Sequence, residues 1–162
     1  MIGAVTNLMQ LLSKILLGVG IALLLISLCM PSLQCGWLDG NFDVPGIEAF
    51  CASPLFAATS LMFLLCGDFR VGLLGIALFL CNVMALLSIL LYRRLVRGRW
   101  SKVLLVVVPL AFVPWFYPKP GHPDFPEIRV GYYVWASSVT VIAVALVAAA
   151  VKGSVLSIDT AR

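Results

Sequence analysis

Five apolar stretches, separated by short polar joints, occupy most of this chain and constrain what it can fold into. A bilayer core about 30 Å thick takes roughly 20 helical residues to span, and three of the stretches reach that length easily. The second stretch carries polar interruptions, and the fourth is short. The sequence therefore predicts an all-α fold, a polytopic transmembrane helix bundle of four or five helices, built as one integral membrane domain over residues 1–162. The stretches are 11–30, 47–66, 71–92, 103–117 and 130–151.

The composition is that of a chain in contact with lipid. Hydrophobic residues make up 62% of the chain and charged residues 11%. A soluble domain of this size would need helices with a charged face, because much of its surface meets water. The net charge of +4 comes from basic residues at the ends of the stretches, so we expect the lipid bilayer, and not nucleic acid, as a partner. Within the first stretch, Lys14 precedes the apolar run 15–28 as a lysine precedes the core of a secretory signal. No small-x-small cleavage site follows, so we interpret the first stretch as a transmembrane helix.

The joints between the stretches are of two kinds. The short joint at Gly67 and Asp68 predicts a tight hairpin, with the second and third helices as antiparallel neighbours. The joints 31–45 and 118–129 are longer and rich in proline and glycine. We expect these two to form stiff, irregular caps.

The sequence does not decide whether the second and fourth stretches cross the membrane completely. The second begins with a polar segment broken by Pro54, which is tolerated at membrane depth only where protein or a cavity covers it. It is therefore either a re-entrant element or a full crossing, since residues 55–66 alone are long enough to cross much of a bilayer. The fourth stretch, with Pro109 and Pro114, has the same two alternatives.

Lysines and arginines orient a membrane protein, because cytoplasmic loops carry the excess. With five crossings and the N-terminus outside, seven basic residues lie inside and four outside; with a re-entrant second stretch and the N-terminus inside, the division is eight against three. Both alternatives put the joint after the third stretch inside. Its basic cluster either anchors this topology or recruits anionic lipid head groups. The cluster comprises Arg93, Arg94, Arg97, Arg99 and Lys102.

No combination of residues predicts a catalytic centre, a metal site or a cofactor. The five cysteines lack the Cys-x-x-Cys pair of a thiol oxidoreductase, so we expect a protein that is not an enzyme. Cys35 and Cys51 are the one pair that could bridge a joint by a disulfide, given an oxidising side of the membrane. The single histidine, His122, has Asp124 close by, but a zinc site usually takes more than one His or Cys.

Asn82 is the notable polar residue within the third stretch, and it shares a helical stripe with Gly75. It either hydrogen-bonds another helix of the same chain or, together with small residues, forms a face that recognises another membrane protein. As the hypothesis for partner binding we take Asn82 and Gly75 within the membrane, with the joint around His122 as a second contact.

Three short motifs resemble small, uncharacterised bacterial inner-membrane proteins, which commonly have about four helices. The motifs are Pro45-Gly46-Ile47-Glu48-Ala49, Ala52-Ser53-Pro54-Leu55 and Gly131-Tyr132-Tyr133-Val134-Trp135-Ala136-Ser137. This resemblance implies a multi-pass protein of the bacterial inner membrane and no particular activity. In size and helix number the chain is also similar to the membrane immunity proteins that protect bacteria from pore-forming toxins, although architecture alone does not imply function.

The expected function is recognition of another membrane protein, or of a second copy of this chain, through helix–helix contact. Immunity to a pore-forming toxin and a role as an accessory subunit are its two specific forms. A small oligomeric channel or transporter is the alternative. That alternative calls for a polar pore lining, and the apolar stretches contain few polar residues.

Overall fold

The computed structural model describes residues 2–37, 40–96, 103–116 and 127–159, and every predicted apolar stretch forms a helix in it. Four helices are long and apolar enough to cross a membrane, and a fifth apolar helix is shorter. The prediction of an all-α helix bundle is confirmed, and the chain is a membrane protein by the length and composition of its helices. In chain order the elements are α1 (Ile2–Cys29), β1 (Pro31–Trp37), β2 (Gly40–Pro45), α2 (Gly46–Leu65), α3 (Phe69–Val96), α4 (Leu104–Phe112) with a 3-10 extension (Val113–Phe116), β3 (Glu127–Ile128) and α5 (Val130–Asp159).

A small antiparallel sheet in the order β2-β1-β3 closes one end of the bundle. β1 and β2 pair from Trp37 opposite Gly40 to Pro31 opposite Pro45, and β3 pairs with the other edge of β1. The prediction of an irregular cap is wrong for the described part of the joint 31–45, which forms paired strands, whereas residues 118–126 of the other joint lie outside the described residues. Pairing supplies partners for backbone N–H and C=O groups where the chain leaves its helices.

The sheet joins one end of α1, α2 and α5, which we call the sheet end. The Gly46 N–H donates to the Met30 carbonyl at 2.8 Å, and the Arg129 N–H donates to the Ser32 carbonyl at 3.0 Å. The end of α1 therefore meets the beginnings of α2 and α5. A Cβ atom on Gly46 would collide with the Ser27 carbonyl oxygen, so this junction requires a glycine.

The opposite end of the bundle, the basic end, carries Lys14, Arg93 and Arg94. There the Ser13 hydroxyl of α1 and the Tyr92 hydroxyl of α3 share a buried hydrogen bond of 3.0 Å. The middle of α1 and the end of α3 consequently lie side by side, and α1 begins eleven residues before Ser13, at Ile2.

These contacts fix the directions of the long helices. The Trp135 indole, in the second turn of α5, donates to Asn82 Oδ1 at 2.9 Å, so the middle of α3 lies near the sheet end. α3 then runs toward the basic end, parallel to α5. α1 runs the other way and packs closely on α5, where a Cβ on Gly20 would come within 2.6 Å of Ile142.

The direction of α2 is the unexpected feature of the fold. A tight turn with φ +91° at Gly67 makes α2 and α3 antiparallel, as the sequence predicts, and Gly72 packs on Leu64 across the pair. Because α3 runs toward the basic end, α2 leaves the sheet end in the direction of α1 and does not return beside it. Between Phe69 and Asn82, α3 covers about 20 Å. The hairpin of α2 and the first half of α3 therefore projects beyond the sheet end.

For the second stretch the full crossing remains an alternative, because α2 is long and apolar enough to cross a membrane. For most of its length α2 packs on α3 alone, so it does not fold into the bundle as a re-entrant element would. Hydropathy measures how long an apolar segment is, and the direction comes from contacts that α3 makes far away in sequence.

Candidate partner-binding surface

The projecting hairpin exposes more apolar surface than it covers. α2 buries little of itself against the rest of the chain beyond its contact with α3. The tip is the most open part, with Leu65 77% exposed. We call its exposed large apolar side chains the hairpin surface: Leu55, Phe56, Leu61, Met62, Phe63, Leu65, Phe69 and Leu73.

The hairpin surface is also free of charge over a long distance. Between Glu48 and Asp68 the sequence contains no charged residue, and none occurs from 71 to 92 in α3. An uncharged apolar surface of this extent marks a part of the chain that lipid or another protein covers.

Small residues hold the two helices of the hairpin together. Gly75 packs against the Ser60 side chain, and a Cβ on Gly72 would come within 2.8 Å of the Ser60 carbonyl oxygen. Such close approach of two helices is typical of membrane proteins. Pro54 removes the N–H that the Phe50 carbonyl would accept within the helix, and the Ser53 hydroxyl donates to that carbonyl at 2.7 Å instead.

Asn82 and Gly75, the intramembrane residues of the predicted partner face, contact other residues of the same chain. Asn82 is only 7% exposed and accepts the Trp135 hydrogen bond, and Gly75 lies against Ser60. Both residues therefore make contacts within the chain, and recognition of a partner through these two positions stays a prediction. The alternative, in which Asn82 hydrogen-bonds another helix of the same chain, is confirmed. A buried amide gains more from a partner inside the bundle than from lipid.

Polar side chains from α3 and α5 also secure the end of α4, and sequence reasoning missed them. Pro114 cannot donate to the Leu110 carbonyl four residues before it, and the Cys81 thiol donates to that carbonyl at 3.2 Å. The Tyr132 hydroxyl donates to the Pro114 carbonyl at 2.8 Å. α4 is thus a short helix held against the bundle by one side, with its 3-10 end toward the sheet end. The signal that could have indicated this is the spacing of each proline from the carbonyl that it leaves without a donor.

The remaining predicted site residues fall into two groups. Arg93 and Arg94 are exposed at the basic end of α3. His122 and the rest of the basic cluster, Arg97, Arg99 and Lys102, lie outside the described residues.

The predicted disulfide between Cys35 and Cys51 is not formed in this structure, because Cys51 is a free, exposed thiol on α2. The backbone gives the reason. Cys35 lies well along the β ladder, opposite Phe42, whereas Cys51 lies more than one turn into the helix that leaves the base of that ladder. The side chain of Cys35 is outside the described part of the chain.

Within the part of the chain that the structure describes, no group of three or more His, Cys, Asp or Glu side chains comes together as metal ligands would. Comparison with protein-family models, with curated proteins and with solved structures finds no match to this chain. The hairpin surface is accordingly the candidate functional site that the geometry itself supplies.

Proposed function

We propose that this protein is a non-enzymatic, multi-pass protein of a bacterial inner membrane that binds another membrane protein by helix–helix contact through the hairpin surface. The observation that carries the proposal is the projecting hairpin, whose apolar side chains nothing else in the described chain covers. Lipid tails are as apolar as these side chains, so a helix of another membrane protein associates with the hairpin through close van der Waals packing and contacts between helices.

The hairpin suits recognition because it is rigid and close-packed. Gly72 and Gly75 bring α3 within contact of Ser60, so α2 and α3 present their outer sides as one body. A rigid surface loses little conformational freedom on binding, which improves affinity. The low charge of the surface favours an apolar partner, as the helices of another membrane protein are.

The basic residues also indicate which end of the protein faces which side of the membrane. The basic end carries Lys14, Arg93 and Arg94, whereas Arg129, at the sheet end, is paired with Asp43 at 3.3 Å. By the positive-inside rule we expect the basic end to face the cytoplasm and the hairpin to lie on the outer side. Immunity to a pore-forming toxin is the specific form in which such a surface covers a toxin helix. An accessory subunit would use the same surface on a resident protein.

A photocrosslinking amino acid in place of Met62, which is 62% exposed, tests the proposal in intact native membranes. We expect illumination to give one adduct that contains a second, different membrane protein, because the hairpin surface is the contact. Mass spectrometry of the adduct identifies that protein and distinguishes the toxin from the resident subunit.

The matched control carries the same amino acid in place of Leu105 of α4, which is 77% exposed on the bundle itself. This position should crosslink to lipid and leave the partner unlabelled. Equal labelling from both positions, or an adduct of two copies of this chain from Met62, would contradict the proposal. The second result would move a homo-oligomeric channel or transporter to the front.

A further inference from the structure

The basic end contains an arrangement of two cations that the topology rule does not require. Ser13 and Tyr92 face each other across the α1–α3 contact through their 3.0 Å hydrogen bond, and Lys14 and Arg93 are the next residues along each chain. Each helix turns about 100° per residue, and the two helices run in opposite directions. Residues that follow a facing pair in antiparallel helices therefore turn toward the same side of the pair.

Lys14 and Arg93 consequently flank one groove, whose floor is the Ser13–Tyr92 contact. Both side chains are exposed, whereas the two hydroxyl residues between them are buried. The hydrogen bond between the two hydroxyl groups holds α1 and α3 together at this level, so Lys14 and Arg93 lie on the same side of one contact. Arg94 turns by a further 100° and points away from α1.

The position of this groove along the bundle is close to one end of the candidate membrane spans. Lys14 lies seven residues inside the span Asn7–Cys29, and Arg93 lies near the end of the span Gly72–Val96. Long basic side chains extend along apolar surface to reach the membrane interface from such positions. The described acidic side chains, Asp43, Glu48 and Asp68, lie at the sheet end or on the hairpin. Neither Lys14 nor Arg93 therefore has an acidic neighbour among them.

We propose that Lys14 and Arg93 form a binding site for the phosphate group of an anionic phospholipid, in the groove between α1 and α3 at the basic end. The arginine guanidinium provides paired donors for phosphate oxygens, and the lysine ammonium supplies a second positive charge. Basic pockets between transmembrane helices are known to bind anionic head groups in this way. The site is independent of the hairpin surface.

Native mass spectrometry of the detergent-solubilised full chain, titrated with phosphatidylglycerol, tests the site. We expect Lys14→Gln and Arg93→Gln each to weaken binding about fivefold, which is the usual contribution of one basic residue near a membrane surface. Binding of zwitterionic phosphatidylcholine should not change with either substitution. Far-UV circular dichroism confirms that the variants keep their helices.

Arg94→Gln is the matched control, because it removes the same charge from the same helix on another side. We expect it to bind phosphatidylglycerol within twofold of the original chain, on the order of the scatter in such contributions. Equal weakening by all three variants would overturn the proposal, since it would show attraction to diffuse charge. Full displacement of the lipid by an excess of inorganic phosphate would overturn it too, by showing that free phosphate is the ligand.

Discussion

Replacement of Gly46 by alanine should destabilise the protein by about 3 kcal/mol, at the upper end of what overpacking costs. The added Cβ collides with the Ser27 carbonyl oxygen, and neither atom can rotate away because the backbone fixes the positions of both. The Gly46 N–H also bonds the Met30 carbonyl at 2.8 Å, so relief of the clash breaks the hydrogen bond that joins α1 to α2. The measurement is unfolding of the detergent-solubilised protein with increasing SDS, followed by tryptophan fluorescence.

Gly18→Ala is the control for this experiment. A Cβ at Gly18 has open space around it, although the residue lies in the same bundle. Alanine is a better helix former than glycine, so we expect a gain of about 0.5–1 kcal/mol in the free energy of unfolding. Similar free energies of unfolding for the two variants would contradict the close junction at the sheet end.

The second large effect concerns the hairpin. Replacement of Gly75 by leucine should reduce partner crosslinking from Met62 by roughly tenfold, which corresponds to about 1.4 kcal/mol. The leucine side chain occupies the position of Ser60 and drives α2 away from α3, so the hairpin surface loses its shape. The measurement is the adduct yield in native membranes, with helix content checked by far-UV circular dichroism.

Gly18→Leu enlarges a glycine of the bundle in open space and should leave the crosslinking yield unchanged. If Gly75→Leu retains the original yield while it enters the membrane normally, partner binding does not depend on the packed hairpin. The proposed function would then need another surface.

The sequence predicts the helices well because the bilayer imposes one length on every apolar segment. Four of the five stretches begin within a few residues of the observed helices. α1 begins nine residues before its predicted start, and α5 continues eight residues beyond its predicted end. Hairpin pairing of α2 with α3 was equally predictable, since two helices joined by so short a turn must lie antiparallel. The sheet was also within reach, because Asp39-Gly40 between the two strands is a strong hairpin signal.

The direction of the hairpin was beyond sequence reasoning for a physical reason. It depends on two contacts between residues distant in the chain, Ser13 with Tyr92 and Asn82 with Trp135. Any pair of serine, tyrosine, asparagine and tryptophan side chains could have formed such bonds, and periodicity does not select among them. The candidate site follows from the direction of the hairpin, so it could not be predicted either. A hydrogen bond of Asn82 to another helix was predicted, but its partner Trp135 was not.

The most direct test of the account is the side of the membrane on which Cys66 lies, at the turn between α2 and α3. The experiment uses a variant with Cys66 as its only cysteine and a maleimide that does not cross membranes. Two reference variants, each in a chain that otherwise lacks cysteine, mark the two sides: Glu48→Cys marks the sheet end and Arg94→Cys marks the basic end. Because Cys66 is free and exposed on a hairpin that projects beyond the sheet end, we expect it to react from the same side as Glu48→Cys. Reaction of Cys66 from the side of Arg94→Cys would contradict the account, since α2 would then cross the membrane and the projecting hairpin surface would not exist.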